Sequence, residues 1–265
     1  LTKAGIAAEN YPFCTIEPNV GIVELPDARL SQLAQIVKPE RIVPAIVEFV
    51  DIAGLVAGAS QGEGLGNQFL SHIRETDAIV NVVRCFDDEN VIHVAGKVDP
   101  ISDIEVIQTE LCLADLATVE KSLARYQKVA KAGQDKDAQR LVDVLKKCQA
   151  ALDQALPVRS IAFSKEELVV LKPLCLITAK PAMFVGNVAE DGFENNPFLD
   201  QLRAYGEKQH APVVAICAKT EAELADMGDD DRLLFLHEMG LDEPGLNRLI
   251  RTAFSLLGLQ TDFTA

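Results

Sequence analysis

At 265 residues, 48% of them hydrophobic and 25% charged, the chain has the composition of a globular fold and enough apolar material for a sizeable core. Its formal net charge of −15 excludes a surface that is basic throughout, although a local basic face remains open. No apolar run approaches the roughly 20 residues that span a bilayer and no signal-peptide pattern opens the chain, which predicts a cytoplasmic protein with no membrane partner.

In chain order, residues 10–19 form a loop stiffened by Pro12 and Pro18 that leads into a strand over 20–25. A short helix over 30–37 ends before Pro39, and an apolar strand over 46–50 ends on the carboxylate of Asp51. Glycines follow at 54, 58, 62, 64 and 66, then a helix over 67–75. The β-branched run 78–83 is too short for a helix and reads as a buried parallel strand. From 104 the period changes. Helices over 104–132 and 135–155 flank Gly133, and the second carries Leu141, Leu145, Cys148, Leu152 and Leu156 at helical spacing, the mark of an antiparallel hairpin. Alternation resumes with strands over 183–187 and 213–217 and helices over 198–208, 229–239 and 244–257. The order predicts an α/β fold with a mostly parallel sheet, covered by helices on both faces and interrupted by the hairpin. Six cysteines without metal-ligand spacing read as reduced core thiols.

A magnesium nucleoside triphosphate needs a phosphate cradle, a hydroxyl on the metal, a carboxylate holding the metal's water, and a reader of the base. Thr15 suits the hydroxyl role and Asp51 the carboxylate role, while Gly54 lets a backbone N–H approach the terminal phosphate and report its presence. The bland reading of the same residues is a loop threonine and a strand-end turn. After the later strand, Asn187-Val188-Ala189-Glu190 keeps the spacing of the guanine clamp Asn-Lys-x-Asp, with Val for Lys and Glu for Asp. Guanine recognition is thereby compromised and adenine favoured; otherwise these are a strand-end Asn and a surface Glu. Leu55, just after Gly54, neither donates nor accepts a hydrogen bond, so it cannot orient a water as Gln does there in many related switches. His93 is the candidate to do so instead, against the commoner fate of a loop histidine, which is to be solvated. Between residues 120 and 147, eight basic side chains stand against four acidic ones. That face suits ribosomal RNA, or is simply a solvated helix face.

Taken in order, these motifs resemble the YchF-type Obg-like ATPases. The resemblance rests on Tyr11-Pro12-Phe13-Cys14-Thr15-Ile16-Glu17-Pro18-Asn19, Asp51-Ile52-Ala53-Gly54-Leu55, Gly62-Glu63-Gly64-Leu65-Gly66-Asn67-Gln68-Phe69-Leu70, the Asn187 to Glu190 reader and Glu243-Pro244-Gly245-Leu246-Asn247-Arg248, and it covers essentially the whole chain. It implies a P-loop NTPase of the OBG type, hydrolysis of ATP in preference to GTP, dependence on Mg2+, and association with the ribosome. It also implies that Thr15 is a metal ligand, that the Val188 backbone touches the base, and that His93 occupies the family's catalytic position. The organisation so read is 1–103 and 164–256 for the nucleotide domain, 104–163 for the helical insert and 257–265 for the start of a TGS domain. No Gly-x-x-x-x-Gly-Lys-Ser/Thr occurs; Gly96-Lys97 is followed by Val98 and preceded by Val91 where the first glycine belongs. The expectation is a chain lacking the cradle and the TGS domain, binding nucleotide poorly by itself. Two competing readings are an Obg-type GTPase and a non-catalytic module that docks its hairpin on RNA or protein.

Overall fold

The computed structural model describes residues 19–52, 65–88, 97–133 and 136–264. Its contacts divide the chain into two compact units: one takes the residues through Asp51, Val80–Ile101 and those from Ala182 onward, the other Ile52–Ile79 and Ser102–Pro181.

In the first unit, β1 (Asn19–Glu24) and β2 (Ile46–Asp51) pair antiparallel, from Asn19 opposite Asp51 to Glu24 opposite Ile46. This pair is the antiparallel exception within the mostly parallel α/β fold that the sequence predicts. Between the strands lies α1 (Ala28–Val37), capped by the Asp27 carboxylate on the Arg29 N–H and closed by Lys38 in the left-handed conformation. The connection leaves and re-enters at one end of the ladder, where the Leu25 N–H donates to the Ala45 carbonyl at 2.7 Å, and a link that returns to its own end forces the antiparallel sense.

The second sheet runs in the order β3 (Ile79–Arg84), β4 (Ala182–Asn187), β5 (Val213–Ile216), with β4 and β5 parallel. All but the last residue of β4 is buried, as its unbroken run of apolar and small residues requires. Helix α6 (Pro197–Gln209) is started by Asn196 and Pro197, and α9 (Gly245–Leu256) lays Leu249 and Ala253 on Met183, Val185, Val214 and Ile216 and Ile250 against Val47. Two further helices, α7 (Ala218–Asp226) and α8 (Asp229–Glu238), belong to this unit.

In the second unit, α2 (Leu65–Glu75), α3 (Pro100–Ala132, its first two residues in the other unit), α4 (Lys136–Leu152) and α5 (Lys165–Leu171) build the cores. Cys112 and Val119 of α3 pack with Val144, Leu145, Cys148 and Leu152 of α4, so the stripe read from the sequence is the hairpin seam as far as Leu152, while Leu156 lies past the end of α4 and is exposed. Leu70 and Ile73 of α2 pack with Leu111 and Ala114 of α3 and with Ile177. Helix α5, which the sequence reading passed over, carries a legible signal: Ser164 and Glu167 form a reciprocal capping box.

Cys14 lies outside the described residues, and among the other cysteines the reading needs a correction. Cys85, Cys112, Cys148 and Cys217 are buried and free, but Cys175 is exposed, in a left-handed turn at φ 47° after a short 3-10 turn rather than in the core. Burial pushes the thiols of Cys85 and Cys112 up to about 11 and that of Cys148 to about 12, leaving them in the unreactive protonated form. Among the described residues, no helix is long and apolar enough to cross a membrane.

Candidate functional site

Asp51 closes β2 on the face of the antiparallel pair that also carries Val47 and Phe49, where side chains alternate sides. Its carboxylate is exposed, and its register partner Asn19 holds an amide nitrogen that is buried without a hydrogen-bond partner. A buried unpaired donor is uncommon and costly, and it suits an oxygen supplied from outside the chain. Of the two side chains only the Asp51 carboxylate suits a hard cation, which takes oxygen ligands and keeps several waters; the Asn19 N–H group can donate to such an oxygen but not ligate the ion. Asp51 does not build such a site alone: among the described residues, no group of three or more His, Cys, Asp and Glu side chains could hold a metal. Thr15, Gly54 and His93 lie outside the described residues.

The base-reader candidates fall at the carboxyl ends of parallel strands, where α/β sheets place ligand-facing loops. Asn187 ends β4, and its carbonyl accepts from the Cys85 N–H at 2.8 Å just past β3. Its side-chain Oδ1 accepts from the Ala218 N–H at 3.0 Å, the first residue of α7. Val188 is buried and its N–H donates to the Ile216 carbonyl at 2.9 Å. Glu190 is half-exposed, with its Oε1 2.7 Å from the Lys219 ammonium, and that contact holds the Lys219 pKa above the usual lysine value. Asn196 ties the same rim from the other side: its Nδ2 donates to the carbonyls of Cys85 and Gly192, both at 2.9 Å, while its Oδ1 caps α6.

The structure thus gathers Asn187, Val188 and Glu190 on one rim and adds two residues that the sequence reading missed, Ala218 and Lys219. The available signal was a small, polar tripeptide, Cys217-Ala218-Lys219, at the end of an apolar strand, the counterpart of the Asn187 segment one strand away.

The basic hairpin residues Lys121, Arg125, Lys128, Lys131, Lys136, Arg140, Lys146 and Lys147 are all exposed. Arg140 pairs with Asp137 at 3.2 Å, and Lys147 with Glu167 at 2.6 Å.

Comparison with known proteins gives a consistent set of relatives. A family model described as 50S ribosome-binding GTPase matches residues 1–112. The ribosome-binding ATPase YchF of Escherichia coli O157:H7 is 58% identical over 265 residues, a match that takes in all of this chain and 73% of that protein. Its counterpart in Bacillus subtilis (strain 168) is 50% identical over 268 residues, with the same coverage of 100% and 73%. A solved structure described as the Schizosaccharomyces pombe YchF GTPase superposes with a TM-score of 0.78 at 33% identity, covering 94% of this chain and 68% of that one.

Proposed function

The chain belongs to the YchF family of ribosome-binding P-loop NTPases, and from that membership we propose that it works as a cytoplasmic, ribosome-associated ATPase switch in translation or stress regulation. Thr15 and Asp51 would hold Mg2+, with the unpaired Asn19 amide positioned to donate to an oxygen beside it. When bound, the ion offsets negative charge shared by the β- and γ-phosphates. Gly54 senses the terminal phosphate through its backbone N–H, and His93 orients the attacking water where Leu55 cannot. Asn187, the Val188 backbone and Glu190 face adenine. In this reading 1–103 and 164–256 make the nucleotide domain, and the basic hairpin within 104–163 meets ribosomal RNA.

The observation that carries the adenine preference is the 2.7 Å contact between Glu190 Oε1 and Lys219. Guanine offers two adjacent N–H donors and needs both oxygens of a carboxylate to receive them. Glu190 is one methylene longer than Asp, and one of its oxygens already accepts from an ammonium, so that pairing is weakened. Adenine presents no such donor pair.

The sequence carries no Gly-x-x-x-x-Gly-Lys-Ser/Thr pattern, so the test uses a form of the chain to which such a segment from a relative has been added. Equilibrium binding with Mg2+ should be tighter for ATP than for GTP, and Asp51→Asn should remove most of the Mg2+ dependence while sparing the base preference. Tighter GTP binding would install the GTPase reading, which the descriptions of the family model and of the Schizosaccharomyces pombe structure favour.

A further inference from the structure

Helix α2 follows directly in the chain on the glycine-bearing stretch that begins at Gly54, and its last turn is held by hydrogen bonds as well as by apolar contacts. A single cation gathers the carbonyls at this helix end: Lys180 Nζ donates to Ile73 O at 2.6 Å, which also accepts from the Thr76 N–H and hydroxyl, to Arg74 O at 2.7 Å, and to Thr76 O just past the helix. The Arg74 guanidinium reaches across to α3. Its Nη2 donates to Thr118 Oγ1 at 3.0 Å and Ala114 O at 3.4 Å, and its Nη1 to Cys175 O at 3.2 Å while lying 3.5 Å from Asp115 Oδ1.

Asp115 is fully buried and grips the third member of the group. It accepts from Ile177 N at 2.9 Å and from Thr178 N and Thr178 Oγ1, both at 2.7 Å. The end of α2, the base of α3 and the 175–180 segment therefore form a closed triangle of charge-assisted hydrogen bonds around a shared apolar patch of Leu70, Ile73, Leu111 and Ile177. Surface ion pairs move and rearrange, whereas a buried carboxylate with three donors has one arrangement. Moreover, α2 belongs to the compact unit of the hairpin, not to the unit that holds Asp51.

We infer that the Arg74, Asp115 and Lys180 clamp fuses α2 to the base of the helical hairpin, so that a displacement of α2 set by nucleotide occupancy is delivered to α3 as a rigid movement. By reciprocity, a partner seated on the hairpin changes nucleotide affinity by the same factor that nucleotide changes the partner's. This deepens the phosphate-sensing reading of Gly54 and rests on it.

The test has two arms. In the first, hydrogen exchange is followed on this chain in Arg74→Gln, Lys180→Met and the charge-keeping Arg74→Lys. The clamp predicts that amides of the last turn of α2 exchange at least about tenfold faster in the first two, less so in Arg74→Lys, with β4 and the α3–α4 seam unchanged. Unchanged exchange in α2 overturns the clamp. In the second arm, on the cradle-bearing form, ATP should shift exchange along α3 by about threefold in the parent and not in Arg74→Gln, whose ATP affinity stays within roughly twofold of the parent. A hairpin response that survives Arg74→Gln overturns the transmission. Failure of the parent to bind ATP would strike the phosphate-sensing reading, and the transmission with it, while the first arm still decides the clamp.

Discussion

Asp115 has no solvent around it, and two forces pull its titration in opposite directions. Burial disfavours the charged form and is the larger effect; the N–H groups of Thr178 and Ile177, the Thr178 hydroxyl and the Arg74 guanidinium favour it, and the balance leaves the carboxyl above the usual carboxylate range. A pKa raised on folding means that the native state binds the proton more tightly than the unfolded chain does. Its contribution to stability is therefore complete below the ordinary carboxylate pKa and is lost as pH rises through the raised value. Asp115→Asn, neutral at every pH, gives the baseline. It should lower unfolding free energy by about 1–3 kcal/mol, because an amide turns a donor toward donors. In urea unfolding from pH 4 to 8, the advantage of Asp115 over Asn should shrink as pH rises and then level off; an advantage growing with pH would mean that the donors outweigh burial. Little of this was legible in the sequence, where Asp115 is one acid in a long helix and its partners Ile177 and Thr178 are remote. Asp51 and Asn187 were legible because each ends an apolar strand, a local pattern. Gly245 lies between. It stood out only through the resemblance, and the structure supplies the reason: a Cβ there would sit 2.8 Å from Glu221 Oε1, the carboxylate that accepts the Gly245 N–H at 2.7 Å to start α9.

Elements whose boundaries depend on their own residues emerged close to expectation. The 198–208 helix is Pro197–Gln209, begun by Asn196 and Pro197 and ended by His210 in the left-handed conformation. The hairpin helices also match, because Leu141, Leu145, Cys148 and Leu152 bury at their helical period. The misses were α5 and α7, seven and nine residues long, too short for periodicity to show. The antiparallel sense of β1 and β2 escaped for another reason, since it depends on where the α1 connection returns. At this scale the basic face of the hairpin is testable. Arg140 and Lys147 are engaged with Asp137 and Glu167, so the charges on the last turns of α3 are the better candidates for a polyanion. Reversing Lys128 and Lys131 to Glu, with Arg140→Glu in a third step, should weaken ribosome association by roughly tenfold at low salt, with the first two substitutions supplying most of the loss. The exposed positions should leave the melting temperature nearly unchanged. Cosedimentation that ignores all three changes would remove the basic face from the ribosome reading.

For the whole molecule, the α/β class follows from strand and helix alternation, but the grouping of segments does not. Residues 52–79 share a compact unit with 102–181, and the contacts responsible join residues far apart in the chain, such as Arg74 with Cys175 and Lys180 with Ile73. Hydrophobic period reports which face of an element is buried and not which distant element buries it. Each unit has cores made of its own residues: Val144, Leu145 and Cys148 lie in one unit, Met183, Val185 and Leu249 in the other. A core confined to one unit should fail locally. Leu145 is completely buried in the hairpin seam, and Leu145→Ala removes three carbons from a site with rigid neighbours, a loss of about 2–5 kcal/mol. Native-state hydrogen exchange on this variant should show faster opening throughout α4 and the facing part of α3, while amides of β4, β5 and α9 keep their parent protection. If β4 and α9 lose protection by the same factor as α4, the units unfold as one cooperative body. The seam would then be stabilising the sheet as much as the hairpin, because a local opening free energy cannot fall in a remote element unless that element opens in the same event.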